Sequence, residues 1–297
     1  MTGRASRAFV AVAVCAATAL PVFAQDPAPP AAPEKKFPKW SDTAELGWVA
    51  TSGNSESSTF GFKNALSREN EHSLFELKLG GIRVESSTIN LFAVGNATDF
   101  TREEDKESTT TAENYFLNGR YDRKITEKFF WFGGAGWDRN RFAGIDNRYV
   151  GFAGVGNIWV DTDRRKWRTD YSLTGTKQEN VVDDPTFDDT FFGVRLSSSF
   201  LQKFGAHDVG SFTNDTILDE NVDQTDDWRV NMTNAVAVNI SSHLALKVSL
   251  QWLYDNAPSL KEVNLYDPGD LTTPIGTVLV ELDELDTLFT TALVIKY

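Results

Sequence analysis

The stretch Asp286-Thr-Leu-Phe-Thr-Thr-Ala-Leu-Val-Ile-Lys-Tyr297 alternates in polarity residue by residue and ends on an aromatic side chain. Thr290, Ala292 and Lys296 share one face of the predicted strand, with Val294 as the apolar exception. A strand with an aromatic carboxyl terminus is what an outer-membrane β-barrel needs to close its sheet and be recognised for assembly. The residues that we expect to form this C-terminal assembly signal, all on the opposite face, are Phe289, Leu293, Ile295 and Tyr297.

The same alternation recurs along the rest of the chain, most clearly from Trp167 to Lys177. Runs of roughly 11 to 13 alternating residues are longer than soluble strands of about 5 to 6 and match tilted membrane strands. The sequence therefore predicts an all-β protein with a single transmembrane antiparallel up-and-down β-barrel and both termini on the periplasmic side. About twelve runs are visible, near residues 43–51, 58–68, 72–84, 109–123, 128–140, 148–160, 166–178, 187–201, 207–218, 227–240, 243–256 and 284–297.

The connections between these runs alternate between short and long, which is typical of short periplasmic turns and long outer loops. Short turns such as Arg123–Glu127 and Asp161–Arg165 carry basic residues, whereas the longer connections are rich in Asp and Glu. The stretches that we expect to be outer loops are Glu85–Ser108, Phe142–Asn147, Glu179–Pro185, Asp219–Asp226 and Ala257–Asp283.

The amino-terminal residues predict export across the inner membrane to the bacterial outer membrane. Residues 1–24 have the basic start, apolar stretch and small-residue site of a signal peptide cleaved after Ala24. Residues 25–40 form a proline-rich flexible linker, and residues 41–297 form the barrel. Cys15 is lost with the signal peptide, which excludes disulfides and cysteine nucleophiles in the mature protein. Removing Arg4 and Arg7 leaves 27 basic against 42 acidic residues, a net charge of −15 that argues against nucleic acid as a partner.

Several short motifs, which follow one another in a fixed order along the chain, carry a family resemblance. They are Thr51-Ser-Gly-Asn-Ser55, Tyr121-Asp-Arg-Lys-Ile-Thr-Glu-Lys128, Trp137-Asp-Arg-Asn-Arg-Phe-Ala-Gly-Ile-Asp146, Gly154-Val-Gly156, Asp161-Thr-Asp163 and Tyr254-Asp-Asn-Ala-Pro258. Over roughly residues 43–297, the chain resembles the family of salt-induced outer-membrane proteins, whose function is undefined. Residues 85–108 and 257–282 are longer than the family pattern. The resemblance implies a barrel in the outer membrane and a link to salt or osmotic stress, and it brings no catalytic residues.

Charged residues on the predicted inward faces indicate what the lumen contains. Basic side chains outnumber acidic ones there, and a polar interior tolerates charges that hydrocarbon does not. One interpretation is a narrow solute channel with a weak bias towards anions. The alternative is a structural barrel plugged by ion pairs, because twelve strands lie between filled eight-stranded barrels and open porins. The predicted lumen-lining residues are Lys63, Lys78, Arg120, Arg168, Asp170, Arg195, Arg229, Lys247, Asp255 and Lys296, with Glu45 and Glu76 as further acidic members.

Aromatic residues cluster towards the ends of the predicted strands. Amphipathic rings at those positions indicate girdles at the two membrane interfaces, and a platform for stacking carbohydrate is the less favoured alternative. The predicted girdle residues are Trp48, Tyr115, Tyr121, Trp159, Trp167, Trp228, Trp252 and Tyr254.

Enzymatic and metal-binding functions have weaker support in the sequence. His72, His207 and His243 lie in predicted periplasmic turns, so a Ser–His lipid-modifying enzyme is the less favoured alternative and we expect no catalytic residues. The acidic loops follow no calcium-loop pattern, and we expect no metal site and no cofactor. Those loops could still stabilise the outer leaflet through divalent ions. The expected partners are outer-membrane lipids, lipopolysaccharide and the barrel-assembly machinery.

Overall fold

The computed structural model describes residues 37–51, 55–96, 99–184 and 187–296. The predicted signal peptide, most of the predicted linker and Tyr297 lie outside the described residues, and the first strand begins at Lys39, inside the predicted linker. The strands are β1 (Lys39–Thr51), β2 (Ser55–Glu69), β3 (Ser73–Asn96), β4 (Asp99–Lys124), β5 (Phe129–Asn140), β6 (Ile145–Asp161), β7 (Arg165–Asn180), β8 (Thr190–Phe204), β9 (Gly210–Asn221), β10 (Trp228–Asn239), β11 (Leu244–Asp255), β12 (Leu260–Asp267), β13 (Asp270–Glu281) and β14 (Leu285–Lys296).

Twelve of these strands form one closed barrel in the order β1-β14-β11-β10-β9-β8-β7-β6-β5-β4-β3-β2. Every neighbouring pair is antiparallel. The barrel closes where β14 pairs with β1, with Thr43 opposite Lys296 and Leu46 opposite Leu293. The predicted twelve-stranded up-and-down barrel is therefore confirmed, and four residue pairs between β1 and β14 join the two end strands of the sheet.

Burial along β7 shows which way the barrel wall faces. Asp170 and Gln178 are only 4% and 2% exposed, whereas Leu173 between them is 72% exposed. The polar members of the alternation therefore point into the barrel, and the apolar members form its outer surface. A soluble protein has the opposite arrangement, so the alternation fits a wall surrounded by hydrocarbon. Among the described residues, no helix is long and apolar enough to cross a membrane.

The barrel has two unlike ends, which we call the turn end and the loop end. The turn end holds the short connections at residues 70–72, 125–128, 162–164, 205–209 and 240–243. The longer connections lie at the loop end, including residues 181–189, 222–227 and 256–284. Two short 3-10 helices, Arg141–Ala143 and Ala206–Asp208, lie in connections at the loop end and the turn end respectively.

Two stretches predicted to be loops contain β-structure, so that part of the prediction was wrong. Residues 85–96 and 99–108 continue β3 and β4 as a paired ribbon, with Asn96 opposite Asp99 and a register shift after Val84. Residues 85–88 still pair with β2, so the ribbon extends beyond the barrel from Ile89 onward. An antiparallel pair satisfies its own facing backbone groups, so it can extend into water without support from the barrel.

The second corrected stretch, residues 257–283, contains the β12–β13 hairpin, which forms a separate two-stranded sheet. Its turn is Asp267-Pro-Gly-Asp270, in which the Gly269 amide donates to Asp267 Oδ1 over 2.8 Å. Asp, Pro and Gly are residues that favour turns, so this hairpin had a signal in the sequence.

Candidate functional site: the barrel interior

Arg120 anchors a buried group of ion pairs in the half of the barrel nearer the turn end. Its Nε lies 2.5 Å from Asp122 Oδ1 in the same strand, and its Nη1 lies 2.5 Å from Asp170 Oδ2 on β7. Arg168 Nη1 lies 3.3 Å from the other oxygen of Asp122 and extends the group. Glu76 joins through Arg168 Nη2 at 3.8 Å. Strands β4 and β7 are separated by two strands, so the group spans a chord of the interior.

Two phenylalanines from β5 complete this packed wall. Phe130 and Phe132 point inward and are 2% and 3% exposed. The Arg120 guanidinium lies 3.9 Å from the centroid of the Phe132 ring, close enough for a cation–π contact. The ring and the carboxylates together leave little room for water around Arg120. Residues 129–137 are apolar on both faces, so their alternation does not orient β5, and the structure places Trp131 outward.

Three further arginines line the interior towards the loop end, and each has a carboxylate partner. Arg148 Nη2 lies 3.0 Å from Asp138, and Arg195 Nε lies 2.6 Å from Asp219. Arg229 contacts two carboxylates, at 2.9 Å and 3.1 Å, and donates to the side chain of Gln178 over 3.0 Å. The carboxylates that Arg229 contacts belong to Asp227 and Asp255. These arginine charges are neutralised within the wall.

The wall formed by β10, β11, β14, β1 and β2 carries smaller side chains. Lys247 Nζ lies 2.7 Å from Glu45 Oε1, and Lys296 Nζ donates to Asn239 Oδ1 over 2.7 Å. The remaining inward positions of these strands are mostly small, such as Gly47, Gly61, Ala245 and Ser249, with Val294, Gln251 and Leu288 as larger members. The interior therefore stays open beside these strands, whereas Arg120 and its partners fill the interior beside β4 to β7.

Two adjoining cavities, with six lining residues in common, occupy the open part of the interior. The larger, of about 830 Å³, lies at the loop end between Arg148, Arg195 and Arg229 and the base of the β12–β13 hairpin at Pro258 and Leu260. The smaller, of about 300 Å³, lies deeper and is lined by Glu45, Lys63, Gln251 and Thr290. Both cavities are of the size of ligand sites or narrow pores. The residues that line both of them are Asn118, Asp138, Asn140, Arg148, Asn231 and Leu253.

The register places all ten lumen residues predicted from the sequence on the inward face. The structure also brings together residues that the sequence analysis did not assign to the lumen. Asp219 was placed in an outer loop, although its alternation with Ile217 continues the inward face. With these additions, the excess of positive charge is smaller than the sequence predicted. The inward charged residues that the sequence analysis did not assign include Asp122, Asp138, Arg148, Asp215, Asp219 and Asp286, and, nearer the turn end, Lys124, Lys166 and Lys203.

The eight predicted girdle residues all lie on the outward face, near one end of the barrel or the other. Trp159 and Trp167 pair near the turn end with ring centroids 5.8 Å apart, and Trp228 pairs with Tyr254 near the loop end at 4.9 Å. Trp48 is 71% exposed. Of the predicted assembly signal, Phe289, Leu293 and Ile295 also face outward, and Tyr297 lies outside the described residues.

The three histidines lie in turns at the turn end. His72 is 69% exposed and His207 has a positive φ of 54°. His243 Nδ1 lies 2.9 Å from the hydroxyl of Ser242, on an exposed turn. In the described ranges, no group of three or more His, Cys, Asp or Glu residues is arranged to hold a metal ion.

Comparison with solved structures found several similar chains. The chain is similar to the NanC porin, with 9% identity and a TM-score of 0.44 over 86% of this chain and 98% of that one. It is similar to an outer membrane channel from Pseudomonas putida F1, with 9% identity and a TM-score of 0.44 over 89% and 97%. An anion-selective porin from Comamonas acidovorans has 10% identity and a TM-score of 0.38 over 87% and 99%.

Sequence comparison gives the family. No match was found among curated proteins. The model of the family described as "Protein of unknown function, DUF481" matches residues 44–265, which is most of the barrel. The chain belongs to this family of unknown function.

Proposed function

We propose that the protein is a non-enzymatic outer-membrane β-barrel that lets small polar solutes pass through a narrow lumen. The apolar exterior and polar interior of the closed barrel support a membrane-spanning position. The turn end then faces the periplasm and the loop end faces outward, as bacterial barrels of this type are oriented. Outer-membrane lipids and lipopolysaccharide are its immediate surroundings, and the barrel-assembly machinery inserts it.

The observation that carries the channel proposal is the pair of cavities with a shared lining. Together they lead from the loop end, beside Arg148, to the level of Glu45 and Lys63 in the middle of the barrel. The route is lined on one side by Asn231, Gln251 and Thr290 and on the other by Asn118, Asp138 and Arg148. Nearer the turn end, Arg120 and its partners take up part of the cross-section, so a passage through this barrel is narrow and polar. It suits small hydrophilic solutes, with a weak preference for anions.

The physiological setting that we propose is adaptation to salt or osmotic stress. Its support is the resemblance to salt-induced outer-membrane proteins, and a narrow polar passage is compatible with such a role. Expression of the protein after a shift to high salt, compared with an unshifted culture, tests this part of the proposal.

Conductance across planar bilayers tests the channel. Ala292 lines the smaller cavity, so Ala292→Trp should fill it and reduce the single-channel current at least about twofold, since pore width limits conduction. Ala135→Trp is the matched control, because Ala135 faces outward on β5 and the same substitution there leaves the lumen open. Absence of current from wild-type protein with normal heat-modifiable gel migration would contradict the channel.

The buried ion pairs support a second candidate, a structural barrel whose interior is plugged. Asp170 and Gln178 are nearly inaccessible to water, as expected for a filled interior. In that case the acidic outer connections stabilise the outer leaflet through divalent ions. The bilayer experiment separates the candidates, because a plugged barrel gives no current in either the wild type or Ala292→Trp.

A lipid-modifying enzyme is the least supported candidate. The contact between Ser242 and His243 is the observation in its favour. A lipid-release assay on His72→Ala, His207→Ala and His243→Ala tests it. Loss of a measurable activity in one variant would contradict the non-enzymatic proposal.

A further inference from the structure

Lys63 occupies the level of the lumen where the smaller cavity reaches the middle of the barrel. It lies on β2 directly opposite Glu45 on β1, and both side chains point inward. Glu45, however, is engaged elsewhere, because its Oε1 lies 2.7 Å from Lys247 Nζ. Two ammonium groups and one carboxylate therefore meet at this level, which leaves one positive charge uncompensated.

The ammonium group of Lys63 has no hydrogen bond and no ion pair with any residue in the part of the chain that the structure describes. The other nine predicted lumen residues each have one. Lys78, for example, lies 3.3 Å from Glu76, and Lys296 donates to Asn239. A lysine ammonium has three hydrogens to donate, so Lys63 keeps its full capacity for a solute.

The surroundings of Lys63 leave room for that solute. Gly61 and Gly47 border the same cavity and bring no side chains into it. Thr290 adds a hydroxyl that lies 2.7 Å from the Ser249 hydroxyl and can donate to a solute when Ser249 donates to it. A free ammonium group beside a hydroxyl in a cavity of about 300 Å³ suits a small anion. Larger polyanions would meet the paired carboxylates of Asp138 and Asp219 on the way in.

We propose that Lys63 is the selectivity-determining residue of the lumen and that it favours small monovalent anions, such as halides and short carboxylates. This inference rests on the proposed channel function. The arginines contribute little to the preference, because each of them is neutralised by a carboxylate of the wall. A single uncompensated charge at a narrow level gives a modest preference, since a charged pore lining attracts counter-ions.

The test is the reversal potential of reconstituted protein under a potassium chloride gradient. We expect the chloride-to-potassium permeability ratio of the wild type to fall at least about twofold in Lys63→Gln, because the uncompensated charge is removed. Lys63→Arg should keep the wild-type ratio. Lys78→Gln is the matched control, because it removes an inward lysine charge that is already paired with Glu76, and it should leave the ratio within the error of the wild type.

Each outcome decides a different point. An unchanged ratio in Lys63→Gln, with current still flowing, would overturn the role of Lys63 and leave the channel intact. An equal fall in Lys63→Gln and Lys78→Gln would overturn it too, because the preference would then follow total lumen charge. No current from folded wild-type protein would overturn the channel and this inference together. Heat-modifiable gel migration shows that each variant is folded, and Lys63→Arg distinguishes loss of charge from loss of packing.

Discussion

Arg120 on β4 reaches across the barrel interior to Asp170 on β7, with Nη1 2.5 Å from Oδ2. The two strands are not neighbours, so the contact joins parts of the wall that backbone hydrogen bonds do not connect directly. Asp122 shares the same guanidinium, and Phe132 lies against its face. This contact fills one side of the lumen in the half of the barrel nearer the turn end, so at that level a passage has room only on the opposite side.

Asp170→Asn should destabilise the barrel because it removes one charge from this buried group. The second oxygen of Asp170, Oδ1, is buried and has no hydrogen-bond partner among the described residues. The ion pair of Oδ2 with Arg120 is therefore the main interaction that offsets the desolvation of the Asp170 carboxylate. Breaking a buried ion pair on one side typically costs about 3 kcal/mol, because the remaining charge stays desolvated. Urea unfolding in lipid vesicles, followed by Trp fluorescence, measures the change in free energy.

A matched comparison for this prediction is Asp161→Asn near the turn end. Asp161 lies 3.5 Å from Lys166, but both side chains are about half exposed. Exposed pairs contribute about 0–1 kcal/mol, so this variant should unfold almost like the wild type. Equal effects of the two substitutions would show that the Arg120 group does not stabilise the barrel.

The sequence was sufficient to predict the barrel and most of its interior faces. Strands such as β7 obey a strict period of two, because one face meets hydrocarbon and the other meets a polar lumen. That constraint places Arg168 and Asp170 inward without knowledge of any contact. It says nothing about which strand a side chain reaches towards, so the contact between Arg120 and Asp170 could not be predicted.

The outer connections and the strand ends were harder to predict for a different reason. The β12–β13 hairpin and the ribbon at the ends of β3 and β4 lie outside the barrel, so the alternation imposed by a membrane is absent there. Asp219 was also difficult to place, because at a strand end the sequence does not distinguish an acidic residue that lines the lumen from one that lies in a loop. The proposed role of Lys63 depends on which of two lysines pairs with Glu45. Only the distances in the structure show that the partner is Lys247.

Two glycines on β6 should respond in opposite ways to alanine. A Cβ at Gly154 would collide with the Tyr171 carbonyl oxygen and lie 2.7 Å from Ser172 Cα, both of them backbone atoms that cannot move aside. A Cβ at Gly151 would meet no atom within 4 Å. Overpacking typically costs about 1–3 kcal/mol, so Gly154→Ala should lower the urea midpoint clearly. Gly151→Ala should leave it unchanged or raise it slightly, and a similar loss in both variants would contradict the packing around Gly154.

Removal of the β12–β13 hairpin should leave the barrel folded. The hairpin forms its own sheet and pairs with no barrel strand, so replacing residues 260–281 with a short Gly-Ser linker keeps the pairing of β11 with β14. The contact between Ser259 and Asn180 lies outside the replaced segment. We expect gel migration typical of a folded barrel, and a larger current, because Leu260 and Lys261 border the larger cavity at its mouth. A barrel that fails to fold without the hairpin would show that the hairpin is needed for closure.

The depth at which a charge is placed on the outer surface tests the membrane position itself. Leu173 lies in the middle of the outward row of β7 and is 72% exposed, whereas Leu285 begins β14 at the loop end and is 52% exposed. An arginine facing hydrocarbon costs about 2–4 kcal/mol at mid-depth and about 0–1 kcal/mol near the interface. Leu173→Arg should therefore destabilise the barrel in lipid vesicles by several times as much as Leu285→Arg. In a soluble barrel both arginines would be hydrated, and the two substitutions would be equally harmless.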